Sequence, residues 1–243
     1  MRMNDPPSPS PAVRERGFSA GLYRLLAWLS PGFPVGAFSF SHGLEAAAES
    51  GAVHDRASLQ HWVVAVVTSG GGRIDADILR DAHRAALSGD IEALMLVNRY
   101  GLASRATMEM AVETAVQGGA FLDTCRAAWP EPLLERWAEL LDGGSLCYAA
   151  TVGAVTAQAG ISVECALLGY LQAMAANLIS AGLRLGIVGQ TDGQRILAAL
   201  ELVISAAATS ALTRNLDAFG SATFAVELAS MAHETQYTRL FRS

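Results

Sequence analysis

The chain has 243 residues, of which 51% are apolar and 16% charged, and its formal net charge is −6. This length suits one large domain that buries enough apolar surface to fold without disulfides or a structural metal. Nucleic-acid binding is excluded as the main function, because phosphate contacts need clustered cations and the chain has no basic block.

Helical periodicity dominates and predicts an all-α fold of about ten helices in one domain. The domain is expected over 18–243, behind a disordered proline-rich arm over 1–17. Pro31 and Pro34 end the first helix, because proline removes a backbone donor and clashes with the preceding turn. The predicted helices run over 18–29, 39–50, 55–70, 74–86, 91–102, 105–128, 131–141, 146–159, 163–185, 191–216 and 222–235.

Short polar side chains mark several of these helix starts. Asp55, Asp90 and Ser162 each precede an apolar periodic run and are predicted N-caps. Thr191 and Gln194 have the spacing of a capping box and are predicted to open the helix that reaches residue 216.

The absence of lysine excludes several kinds of catalytic site, since all 17 cations are arginine. A Walker A loop, a kinase site, a pyridoxal phosphate Schiff base and a Ser-x-x-Lys nucleophile pair all need lysine. No Gly-x-Ser-x-Gly elbow occurs either. The sequence therefore predicts a protein that is not an enzyme and holds no permanent cofactor.

The histidines do not have the spacing of a metal site. His233 and Glu234 begin like the zinc motif His-Glu-x-x-His, but residue 237 is tyrosine. Asp75 and Asp77 lie two apart on a predicted helix and are expected in a solvated first turn. The three cysteines lie among apolar residues and are expected to be reduced and in the core; they are Cys125, Cys147 and Cys165.

Two long uncharged stretches, 143–163 and 165–183, are predicted to be buried bundle helices. Both contain small or amide residues and have neither an aromatic belt nor a flanking cluster of cations, which argues against membrane spans. The N-terminal residues lack the apolar segment of a signal peptide, so we expect a cytoplasmic protein.

Three stretches have residue patterns that the packing of a hydrophobic core does not by itself require. The first, 30–45, combines rigid turns with three phenylalanines and polar residues. The second, 185–194, is a glycine-rich turn with two side-chain amides, and the third, 233–243, mixes aromatic and cationic residues. Connections and caps alone would explain the first two, but the third is more apolar than an unbound tail usually is.

These stretches resemble the motifs of the UreF family of urease accessory proteins. The first reads Ser-Pro-x-x-Pro-Val-Gly-x-Phe-Ser-x-Ser-x-Gly-Leu-Glu over 30–45, and the second reads Gly-Gln-Thr-Asp-Gly-Gln over 189–194. The third reads Met-x-His-Glu-Thr-Gln-Tyr-Thr-Arg-Leu-Phe-Arg-Ser over 231–243, and Glu113, Thr114 and Gly118 are a weaker match.

The resemblance implies a homodimeric adaptor that binds UreD (also called UreH) and the GTPase UreG, and that regulates GTP-dependent nickel delivery into apo-urease. Nickel and GTP would be handled by those partners. The first two motifs would form the interaction surface, and the tail would contact UreD. The implied partner-binding residues are Phe33, Pro34, Phe38, Ser39, Phe40, His42, Glu45, Gln190, Gln194, His233, Glu234, Tyr237, Arg239, Leu240 and Phe241.

Two alternatives belong to other classes of protein. One is a metal-dependent or hydrolytic helical enzyme that brings together His42, Glu45 and His233. The other is a small membrane protein that uses the two uncharged stretches. The first predicts an ordered metal or water with three side-chain ligands, and the second predicts insolubility without detergent.

Overall fold

The computed structural model describes residues 11–243, except for the side chains of residues 11–19 and of residue 216. Over this range the chain is all α, as predicted, and no strand forms. Of the predicted arm over 1–17, residues 1–10 lie outside the described residues and 11–17 belong to the first helix. The helices are α1 (Pro11–Trp28), α2 (Leu44–Glu49), α3 (Arg56–Ser69), α4 (Gly71–Ser88), α5 (Ile91–Ala103), α6 (Met108–Ala128), α7 (Pro132–Leu141), α8 (Tyr148–Gln158), α9 (Val163–Arg184), α10 (Gln190–Ala199), α11 (Glu201–Thr213) and α12 (Phe224–His233).

Three predicted N-caps are confirmed. The Asp55 carboxylate accepts the Ser58 amide at 2.8 Å, and the Ser58 hydroxyl in turn accepts the Asp55 amide. Asp90 caps α5 and Ser162 caps α9 in the same way, each through the amide three residues later. Each side chain satisfies an amide that has no partner inside the helix.

The helix predicted over 39–50 begins five residues later, at Leu44. A 3₁₀ turn occupies Ala37–Ser39, and two left-handed residues follow, His42 at φ 57° and Gly43 at φ 74°. A Cβ on Gly43 would lie 2.7 Å from the backbone nitrogen of Ser230 in α12. The segment before α2 is therefore shaped by a close contact with a distant helix, which local periodicity does not encode.

The capping box predicted at Thr191 is wrong. Gly189 is the N-cap of α10 and supplies no side-chain bond, so Thr191 lies inside the first turn. The single helix predicted over 191–216 is also wrong, since it bends by 43° at Leu200 and divides into α10 and α11.

Helix α8 lies at the centre of the fold, in contact with α4, α6 and α9. Residues 149–157 of α8 are all buried. The approach to α4 is closest at Gly153, where a Cβ would lie 2.4 Å from the carbonyl oxygen of Leu79. Small residues in α8 thus let two helix backbones pack closely, which explains the long uncharged stretch in the sequence.

A row of aromatic rings connects four helices through the core. Trp28 of α1 meets Phe121 of α6 at a centroid distance of 6.4 Å, and Phe121 meets Tyr148 of α8 at 5.6 Å. Tyr148 then meets Tyr170 of α9 at 5.5 Å. Such edge-on and tilted pairs add about 0.5–1.5 kcal/mol each beyond the area they bury.

Among the described residues, α9 is the one single helix long and apolar enough to cross a membrane, and half of its apolar window is buried in the fold. The bent pair α10 and α11 passes the same test only when taken together. The other uncharged stretch forms the 11-residue α8, which is shorter than the roughly 20 residues a span needs. One helix of this kind is weak evidence for a membrane span.

The expectation that Asp75 and Asp77 are solvated is wrong, because distant partners bury both. The Asp75 carboxylate accepts bonds from Arg105 at 2.7 Å and from the Tyr170 hydroxyl at 2.8 Å. Asp77 contacts Arg214 at 2.9 Å, just past the end of α11. Burial, followed by the charge of Asp75, raises the pKa of Tyr170 well above its usual value.

The prediction of three core cysteines is correct for two. Cys125 and Cys147 are buried, but Cys165 is exposed in the first turn of α9. Burial raises the pKa of the Cys125 thiol to about 12, so this thiol is inert at neutral pH.

Candidate functional site

The C-terminal segment folds back onto the first motif. The Ser41 amide donates to the Ser243 carbonyl oxygen at 2.7 Å, and the Arg242 amide donates to the Ser39 carbonyl oxygen at 2.7 Å. The Ser41 hydroxyl also bonds the Ser243 oxygen. We call residues 239–243 the strap, because they lie across the segment that leads into α2.

Glu45, in the first turn of α2, is the main hydrogen-bond acceptor for the strap. Its two carboxylate oxygens accept the amides of Leu240 at 2.7 Å and Phe241 at 2.9 Å, and one of them also contacts His233 Nε2 at 2.9 Å. Burial alone would raise the pKa of Glu45, but these hydrogen bonds outweigh it and lower the pKa below its usual value.

His233, the last residue of α12, lies between two carboxylates and is fully buried. Its Nε2 faces Glu45, and its Nδ1 is 2.8 Å from Glu109 of α6. Glu109 also accepts Arg239 of the strap at 3.0 Å. Two carboxylates from different helices thus hold the ring from opposite sides, one at each ring nitrogen.

His42 forms the second imidazole contact of the site. Its Nδ1 is 3.1 Å from Glu113 of α6, one turn after Glu109. Glu113 also accepts Gln117 at 3.1 Å and the Ser243 hydroxyl at 3.2 Å. Burial disfavours the charged imidazole, but the Glu113 carboxylate, with a smaller contribution from Asp75, raises the pKa of His42 above its usual value.

Arg184, at the end of α9, connects the second motif to the other two. Its guanidinium lies 4.3 Å above the ring of Phe241 and donates to the carbonyl oxygens of Phe38 and Ser180. Among the described residues no carboxylate pairs with it, and burial lowers its pKa. It borders a groove of about 220 Å³ together with Gln190 and Gln194 from the first turns of α10.

The predicted partner-binding residues divide by exposure. Eight are exposed, namely Pro34, Phe38, Gln190, Gln194, Glu234, Tyr237, Arg239 and Leu240. Phe33 and Ser39 are half-buried, and the buried ones are Phe40, His42, Glu45, His233 and Phe241. The buried members hold the first and third motifs together, and the exposed members form a composite surface at this end of the molecule.

Sequence reasoning does not place four of the residues that build the site. Glu109 was not singled out, and the pairing of Glu113 with His42 could not be inferred from a motif in another part of the chain. Arg184 was read only as part of a helix, although its position five residues before Gly189 is a local signal that it adjoins the second motif. Asp75 was placed in solvent, but it belongs to the polar cluster beneath the first motif.

A cavity of about 400 Å³ lies beneath the first motif, between residues 28–38, α6 and α9. His42, Asp75, Arg105 and Glu113 contribute to its polar wall. The indole N–H of Trp28, also in its lining, has no hydrogen-bond acceptor among the described residues.

The arrangement of the histidines argues against the metal-enzyme alternative. Glu45 and His233 are in contact, but His42 pairs with Glu113 instead. Both nitrogens of His233 face carboxylates at hydrogen-bond distance, so neither points toward a free coordination position. Within residues 11–243 no group of three or more His, Cys, Asp or Glu side chains has the geometry to hold a metal ion.

The fold and this site define an all-helical protein whose three sequence motifs, far apart in the chain, form one composite surface. The family described as UreF matches residues 53–201. The chain is 47% identical over 247 residues to the urease accessory protein UreF of Bradyrhizobium sp. strain BTAi1, with all of both chains covered.

Other relatives carry the same name and cover nearly the whole chain. The urease accessory protein UreF of Rhodopseudomonas palustris strain BisB18 is 48% identical over 93% of both chains. That of Methylobacterium sp. strain 4-46 is 46% identical over 90% of this chain and 87% of its own. The chain belongs to the UreF family and has a role in urease maturation.

Proposed function

We propose that this chain is a non-catalytic, cytoplasmic adaptor that binds UreD and UreG as a homodimer and regulates GTP-dependent nickel delivery into apo-urease. Nucleotide and nickel are handled by the partners in this scheme. The lack of lysine supports it, because a nucleotide-binding Walker A loop could not be built from this sequence.

The composite surface around Arg184 is the main support for binding of UreG. Because Arg184 has no carboxylate partner in the described part of this chain, a carboxylate of a second protein can pair with it. Charged hydrogen bonds of this kind are among the strongest hydrogen bonds at an interface. The exposed amides of Gln190 and Gln194 offer further donors and acceptors beside it. We assign this groove to UreG, with an acidic side chain of UreG facing Arg184.

A second surface supports binding of UreD. Helices α6 and α12 meet where Thr107 bonds Ser230 at 2.8 Å and where Glu234 accepts the Met108 amide at 3.1 Å. Each helix has an exposed apolar stripe at helical spacing; the residues are Met108, Val112 and Val116, and Phe224, Leu228 and Met231. The tail residues Tyr237 and Leu240, which follow α12 in the chain, are exposed as well. Apolar patches of this kind mark protein interfaces.

Two variants test the assignment of the groove to UreG. Arg184→Ala removes the cation, and the double variant Gln190→Ala with Gln194→Ala removes the amides without touching the strap. We expect both to weaken UreG binding to the complex of this chain with UreD by at least tenfold, about 1.4 kcal/mol, in titration calorimetry.

The matched control is Arg136→Ala, which removes an exposed arginine from α7. Its UreG affinity should equal that of the unmodified chain. Unchanged affinity in both groove variants would refute the assignment, and a chain that binds neither protein would refute the adaptor function itself.

A further inference from the structure

Each of three carboxylates in the site is shared between an imidazole and the strap. Glu45 holds His233 and two strap amides, and Glu109 holds His233 and Arg239 of the strap. Glu113 holds His42 and the Ser243 hydroxyl. The strap and the two imidazoles therefore bind the same acceptors from opposite sides.

We propose that the strap, residues 239–243, is a proton-dependent latch that is closed while His42 is protonated and opens as His42 loses its proton. The charged imidazole balances Glu113, which also holds the strap through the Ser243 hydroxyl. Without this proton, the Glu113 charge is left without a charged partner beneath a closed strap, where little water reaches it, and a buried charge without a partner is costly.

The groups around His233 hold the strap closed through the same carboxylates. His233 faces Glu45 from α2 and Glu109 from α6, and Arg239 is the cation beyond Glu109. Closing the strap removes water from these pairs, which strengthens the attraction between ring and carboxylate.

The surroundings of His42 act in the same way. It faces Glu113 from α6 and Asp75 from α4, while Arg105 opposes its charge. In the closed state the attraction to the carboxylates outweighs the cost of burial, so the pKa of His42 is raised. Closure therefore favours proton uptake, and proton loss favours opening.

Outside this network, the segment that would move is held by backbone bonds to Ser39 and Ser41 and by two side-chain contacts. Residues 234–240 contain one half-buried residue, Gln236, and are otherwise exposed. Apart from the carboxylates, the strap side chains contact one ring and one cation: Arg242 lies 5.5 Å from the Phe40 ring, and the Phe241 ring lies under Arg184. Opening would uncover Glu45, Phe40 and Glu113 and would leave the helices in place.

Amide hydrogen exchange of the peptide covering residues 234–243, followed by mass spectrometry from about pH 6 to about pH 8.5, tests the latch. After correction for intrinsic exchange, the opening constant should rise with pH, by up to tenfold per pH unit for each linked proton. A peptide from the core of α9 serves as internal control and should keep its protection. A corrected opening constant that stays flat over this range would overturn the proposal.

One variant tests whether His42 carries the linkage. His42→Gln should remove most of the pH dependence of strap opening, whereas His54→Gln, which removes an exposed imidazole, should leave it unchanged. Full pH dependence in His42→Gln would assign the effect to other groups and refute the latch. If circular dichroism shows that the site variant does not fold, the pH dependence of strap opening in the unmodified chain still tests the latch.

Discussion

Two adjacent glycines of α6 should respond oppositely to the same substitution. A Cβ on Gly118 would lie 2.3 Å from the carbonyl oxygen of Leu146, but a Cβ on Gly119 would meet nothing within 4 Å. Both positions are inside the helix, so alanine gains about 0.5–1 kcal/mol at either from lower backbone entropy in the unfolded chain.

At Gly118 the steric cost exceeds this gain. Overpacking costs about 1–3 kcal/mol, and here the obstructing atom belongs to the backbone, which cannot rotate away. We therefore expect Gly118→Ala to lower the free energy of unfolding by about 2 kcal/mol or more, and its Tm by roughly 4–8 °C. Gly119→Ala should raise the free energy by about 0.5–1 kcal/mol.

Urea unfolding followed by circular dichroism measures both changes. The contact matters for the site, because the Tyr148 amide, at the start of α8, bonds Thr114 at 3.0 Å, one residue after Glu113. Equal effects of the two substitutions would refute the reasoning, since they would show that α6 and the start of α8 are not in close contact at Gly118.

The remaining predictions concern pH and thiol reactivity. The pKa of His42 is raised in the folded protein. The stabilisation that this residue provides should therefore be complete below pH 6.5, the usual pKa of histidine, and should be lost as the pH rises through the raised pKa. The pKa of Glu45 is lowered in the folded protein, so its stabilisation should be complete above pH 4.5 and should be lost as the pH falls through the lowered pKa. The urea concentration at the midpoint of unfolding should therefore be highest between pH 4.5 and pH 6.5. Ellman's reagent should modify Cys165 alone in the native protein and also Cys125 and Cys147 in urea, with Cys165→Ser as the control; fast native modification of a second thiol would contradict this.

Local features of the fold were predictable from sequence because their causes are local. Asp55, Asp90 and Ser162 cap helices through amides three residues away, which is a short-range interaction. Asp75 was misplaced because its partners, Arg105 and Tyr170, lie 30 and 95 residues further along the chain. Neither partner can be identified from periodicity or spacing.

The candidate site was predictable only in part for the same reason. Three motifs were recognised separately, but their convergence depends on contacts that span most of the chain. Glu45 reaches Phe241 across 196 residues, and Arg184 reaches back to Phe38 across 146 residues. Sequence reasoning also treated the tail as a surface for partners alone, whereas its backbone is bound by Glu45 of the same chain.

The adaptor function is tested most directly by size-exclusion chromatography with light scattering, applied to UreD and UreG with GTP in the presence and absence of this chain. UreG should co-elute with UreD only when this chain is present, and Arg184→Ala should remove UreG from the complex while UreD stays bound. Elution of this chain apart from both proteins would contradict the adaptor function.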